Sequence, residues 1–212
     1  RLPEWRPTAV VLSPMAGAIE GIRYLRDTKA VAAMMKVVTV YSVLGVPFLV
    51  LMPVVARDRL QLGAGGYGML LACVGVGGLG GALWLAAVGG SMQRGRLWEH
   101  ATRAFALLLI LFGLVRSPSL AYVALLAVGF AMIVSGALAN AMLQSLVPDH
   151  LRGRLMAAYS FVVVGLSQAV GSLIAGTIAE HLGDGAAIAG TAVVILAYCM
   201  WAFRRNPEMR TL

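Results

Sequence analysis

Residues 119–147 read SLAYVALLAVGFAMIVSGALANAMLQSLV, a run with no charged residue, closed by Arg116-Ser117-Pro118 before it and Pro148-Asp149 after it. An α-helix rises about 1.5 Å per residue, so about 17–25 apolar residues cross a hydrocarbon core about 30 Å thick. This stretch is long enough to do so. Working outward, five more apolar stretches follow the same pattern, at about 33–56, 67–90, 98–115, 155–179 and 185–203. The polar or glycine-rich breaks between them are too short to hold a soluble domain. The chain therefore reads as an all-α membrane protein of six transmembrane helices.

Composition agrees. Of 212 residues, 60% are hydrophobic and 12% charged, against about 45–50% and about 25% in soluble domains. Mean hydropathy is +0.85. The net charge of +8 would suggest nucleic acid in a soluble protein. Here no basic helix and no interleaving of aromatic and basic residues lies outside the breaks, so a nucleic-acid partner is excluded. Cys73 and Cys199 sit inside apolar stretches without metal-site or disulfide spacing and read as buried small side chains.

The charges sort by side. Arg23, Arg26, Lys29, Lys36, Arg94, Arg96, Arg103, Arg152, Arg154, Arg204, Arg205 and Arg210 fall on one set of alternate breaks, whereas Arg57, Arg59 and Arg116 fall on the other. The positive-inside rule makes the richer side cytoplasmic. With an even number of spans, both ends are expected in the cytoplasm and the protein in a plasma membrane. Residues 1–31 are expected to form a cytoplasmic linker with three prolines, followed by an amphipathic helix at the interface or a plain connector helix. Residues 32–205 form the transmembrane domain, and residues 206–212 a cytoplasmic tail. The chain opens without Met and without a signal peptide, and is expected to be part of a longer protein.

Several small features carry structural expectations. Pro47 should bend the first span, as membrane helices tolerate proline where neighbours satisfy the freed backbone groups. Gly77 and Gly81 are one turn apart on a glycine-rich second span, and Gly171 lies in the fifth. Small residues at this spacing mark close helix packing. The apolar core of the third span, 104–115, is short, so part of 97–103 must join the same helix, with Arg103 snorkelling or facing protein.

No Asp or Glu sits at the centre of an apolar stretch, so no intramembrane proton relay is read here. The in-span polar residues include Thr39, Tyr41, Ser42, Ser135, Asn140, Gln144, Ser160, Ser167 and Gln168. Asn140 and Gln144 share a face and must find partners or water. They either join helices together or line a central cavity, and Tyr41 and Gln168 stand in the same position. A mostly apolar cavity with few polar anchors suits an amphipathic or hydrophobic small-molecule cargo. No catalytic set appears, no phosphate loop follows the glycines of 75–81, and no cofactor or metal is implied. The chain does not read as an enzyme.

The run Asn140-Ala-Met-Leu-Gln-Ser-Leu-Val-Pro148-Asp149-His-Leu-Arg152-Gly153-Arg154 resembles the loop between the fourth and fifth helices in the C-terminal half of major facilitator superfamily transporters, closest to the bacterial drug- and siderophore-exporter branch. The lead Glu20-Gly-Ile-Arg-Tyr-Leu25 is similar to the stretch that precedes that half, and Pro53-Val-Val-Ala-Arg57-Asp58, with Gly66-Tyr67-Gly68, is similar to the family as well. The resemblance implies half of a twelve-helix bundle, made of two three-helix inverted repeats over residues 33–115 and 119–203. It implies an N-terminal six-helix half as partner beside the lipid bilayer, a bacterial inner-membrane location, and alternating-access export that is proton-coupled through the other half. Arg94, Arg96, Asp149, Arg152 and Arg154 become candidates for a cytoplasmic gate or loop. One departure stands out: the family's aspartate between the second and third helices is replaced by Gln93, so a latch using it is absent or weakened, and Asp149 with Arg152 is the remaining ion-pair candidate. A six-span protein that homodimerises to transport, and a non-transporting membrane scaffold, are the alternatives.

Overall fold

The computed structural model describes residues 28–88 and 93–211. Six helices in it are long and apolar enough to cross a bilayer: Lys29–Arg59, Gly65–Val88, Arg94–Leu114, Pro118–Leu146, Leu151–Leu182 and Asp184–Arg205. These are the first to sixth spans. A last turn, Glu208–Thr211, follows. No strand occurs among the described residues. The linker and amphipathic segment, up to residue 27, and residues 89–92 lie outside the described residues.

The first span breaks at its proline. Its first helix ends at Gly45 and a second begins at Phe48. Pro47 has no N–H and cannot bond back to the Val43 carbonyl. The fifth span compensates there: Gly171 comes so close to the Val43 oxygen that an added Cβ would overlap it, and the Ser167 hydroxyl donates to the Ser42 carbonyl at 2.9 Å. The same span winds as a π-helix over Phe161–Gly171 between two α-helical parts. Such turns are rare and gather at functional sites.

The third span starts at Arg94, earlier than its apolar core indicates. The charges in its first turns are internally matched. Glu99 is 3% exposed, pairs with Arg103 one turn on, and accepts a 2.8 Å bond from Arg210 in the last turn of the chain. The helix can thus carry a carboxylate inside the bundle, since a buried charge persists where it is paired and hydrogen-bonded.

Packing follows a simple scheme. The second span lies on the fourth and the fifth on the first; the third packs on the fourth and the sixth on the first; the third and sixth lie together. Exchanging spans one, two and three for four, five and six keeps these contacts, as a repeat predicts, although the fifth also packs on the sixth without a comparable contact between the second and third. The closest approaches use glycine. A Cβ on Gly77 would overlap the Leu126 carbonyl, one on Gly129 would overlap the Val74 carbonyl, and one on Gly81 would stand 2.7 Å from the Phe130 oxygen.

Large apolar side chains also point outward. Met69, Val76, Leu79 and Leu83 share one face of the second span, and Phe161, Val164 and Leu173 project from the fifth, all more than half exposed. Such faces need lipid or another apolar surface. The charges separate by end: Asp58, Arg59, Arg116 and Asp184 gather at one, and Lys29, Lys36 and Arg205 at the other, where Arg210 meets Glu99.

Candidate functional site

A cavity of about 230 Å³ opens between the first, third, fourth and fifth spans, bordered by Val37, Tyr41, Ser42, Trp98, Thr102, Met132, Ser135, Gly136 and Tyr159 among others. Its walls are fixed from behind. The Tyr41 ring packs on Phe105 with centroids 4.6 Å apart. Trp98 stacks edge-on against Phe203 at 5.1 Å.

The cavity's polar side chains are neutral. The Thr102 and Ser135 hydroxyls lie 2.7 Å apart, and Thr102 also reaches the Trp98 carbonyl at 2.8 Å. Both side chains are buried, so this chain of bonds satisfies groups that have no water to turn to. The two tyrosines differ. Tyr41 donates to the Met132 carbonyl and Tyr159 to the Gly136 carbonyl, each at 3.4 Å. A hydroxyl bond is normally about 2.7–2.8 Å. These two bonds are therefore long, and each hydroxyl has a second partner, Ser135 for Tyr41 and Asn140 for Tyr159. Among the described residues, no side chain bordering it carries a formal charge. The site can hold an apolar group and offer it hydroxyl hydrogen bonds; it offers no ion pair.

Of the candidates read from sequence, Tyr41 borders this cavity. Asn140 and Gln144 hydrogen-bond each other along one helical turn. Gln144 is exposed, and half-buried Asn140 stands beside the Tyr159 hydroxyl, outside the cavity wall. Gln168 is exposed on the fifth span. Asp149 pairs with Arg152 at 2.7 Å within one helix, and Arg152 also bonds the Gln144 carbonyl at 3.2 Å. Arg94 and Arg96 are exposed, and Arg154 is half-buried. Gly77, Gly81 and Gly171 lie at the close helix contacts given above.

Trp98, Thr102 and Tyr159 escaped the sequence reading. The first two lie in the charged lead of the third span, and Tyr159 lies just inside the start of the fifth. The signal available was spacing: Trp98 and Thr102 are one turn apart and share a face. Among the described residues no three His, Cys, Asp or Glu side chains gather as a metal site.

The family model of the transmembrane secretion effectors, within the major facilitator superfamily, matches residues 5–211. No curated protein and no solved structure matches the chain. A match running from ahead of the first span to the last turn, over six helices fit to cross a membrane, assigns this multi-pass membrane protein to the transmembrane secretion effector family of major facilitator superfamily transporters.

Proposed function

We propose that the chain is a six-helix half of a secondary transporter that exports small amphipathic or hydrophobic molecules by alternating access. The cavity carries this reading: it is largely apolar, its polar groups are hydroxyls, and it lies between helices from both three-helix units. Tyr41, Ser135, Thr102 and Tyr159 are its cargo contacts, with Asn140, Gln144 and Gln168 on neighbouring surfaces. The outward apolar faces of the second and fifth spans suit a second six-helix half or lipid. Arg94, Arg96, Asp149, Arg152 and Arg154 lie in the first turns of helices at the basic end, and the excess of basic residues there supports a cytoplasmic position in a bacterial cell.

The test is transport of a neutral amphipathic dye into sealed inside-out vesicles bearing the transporter. Ser135→Leu places bulk in the cavity and should cut accumulation at least about tenfold, equivalent to about 1.4 kcal/mol, at an unchanged protein level. Equal accumulation by this variant would remove the cavity from the transport path. Cysteines placed at Arg94 and Arg57 should label from opposite faces of the same vesicles. Labelling of both from one face would overturn the sidedness.

A further inference from the structure

We infer that the groove between the first and sixth spans at the basic end binds the phosphate of an anionic phospholipid headgroup, held by Lys29, Lys36 and Arg205. The groove encloses about 330 Å³. It is bordered by these three cations and by Tyr198, Trp201 and Asn206, with no carboxylate from the described residues. Five arginines elsewhere are matched: Arg57 with Asp58, Arg59 with Asp184, Arg103 and Arg210 with Glu99, and Arg152 with Asp149. Among the described residues no ion pair joins Lys29, Lys36 or Arg205 to an acid. Three like charges around one small volume repel one another, and an anion in their midst removes the repulsion.

Two further observations favour a lipid over a free phosphate. The groove has an aromatic wall. Tyr198 and Trp201 lie with ring centroids 5.6 Å apart, and the Arg205 guanidinium stands 5.5 Å from the Trp201 ring centroid. Amphipathic rings at a helix end settle at headgroup depth. Below them, Trp201, Ala197, Val194 and Gly190 follow one another at helical spacing on one face of the sixth span. Trp201 and Val194 are 51% and 53% exposed, and nothing lies within 4 Å of a Cβ added at Gly190. This strip gives an acyl chain a path directly beneath the phosphate. Basic pockets between spanning helices are a known setting for acidic headgroups.

The experiment uses the full chain in phosphatidylcholine nanodiscs doped with bromine-labelled phosphatidylglycerol, or with bromine-labelled phosphatidylcholine at the same level. The part of tryptophan quenching that Trp201→Phe removes reports the groove. We expect it to be at least about twofold greater with the glycerol lipid. Lys36→Gln and Arg205→Gln should each weaken the preference about fivefold in apparent affinity, whereas the pair Arg94→Gln with Arg96→Gln, at the same end but outside the groove, should leave it intact. These side chains are exposed, so the variants should fold. Equal quenching by both lipids would overturn the proposal. So would a preference that survives both groove substitutions, or is lost equally in the control pair. Displacement by glycerol phosphate at the headgroup concentration would assign the groove to a free phosphate and overturn the lipid.

Discussion

Ser167 gives its hydroxyl proton to the Ser42 carbonyl at 2.9 Å, joining the fifth span to the first one turn before Pro47 interrupts it. Both residues are buried. Removing the donor leaves that carbonyl with only its weaker local bond from the Val46 N–H, at 3.2 Å. Ser167→Ala should lower stability by about 0.6 kcal/mol, the mean for hydrogen bonds between membrane helices, measured by unfolding in mixed micelles. An unchanged midpoint would mean that water or another group replaces the hydroxyl.

Gly77 should be the least replaceable glycine of the second span. Its added Cβ overlaps backbone, which cannot rotate away, whereas Gly75 on the same helix has nothing within 4 Å. Gly77→Ala is expected to cost at least about 2 kcal/mol, in the range of overpacked cores, and Gly75→Ala close to nothing. Size-exclusion profiles and melting of the two variants check the contrast.

Glu99 ties the end of the chain to the third span. Its carboxylate is matched by Arg103 and Arg210, Met209 beside it is fully buried, and Gly95 lies against the Met209–Arg210 backbone. Glu99→Gln should destabilise by about 3 kcal/mol, because two guanidinium groups lose their counter-charge. Arg210→Gln should cost about 1 kcal/mol, as that side chain is 35% exposed. Amide exchange over 206–211 should quicken in both variants.

At the opposite end, Arg59 binds three things at once. It faces Asp184 at 3.2 Å, donates to the Gly113 carbonyl at 2.7 Å, and covers the Phe112 ring at 5.1 Å. Lysine cannot reproduce a planar guanidinium that stacks on a ring while it donates to a carbonyl and faces a carboxylate. Arg59→Lys should therefore destabilise by about 1–2 kcal/mol, whereas Arg57→Gln should leave the melting temperature unchanged, because its bond to Asp58 lies in solvent. A thermal comparison of the two variants separates these cases.

Hydropathy made the six spans legible because lipid demands an unbroken apolar surface, and 119–147 announces that demand without a charge. The bend at Pro47 was readable for a local reason: a missing N–H. The start of the third span was harder. Glu99 looks like a loop residue until its partners are known, and Arg210 lies 111 positions away. The cavity shows the same divide. Tyr41 was recognisable as a polar residue in an apolar helix, but Trp98, Thr102 and Tyr159 acquire meaning only when three other helices are set beside them. The π-helical winding of Phe161–Gly171 has no local signature that a propensity scale detects.

Among the described residues none around the cavity is charged, and the nearest carboxylate in sequence, Glu99, is paired with two arginines. A molecule seated between these walls would therefore meet rings, methyl groups and hydroxyls, and no formal charge from the described residues.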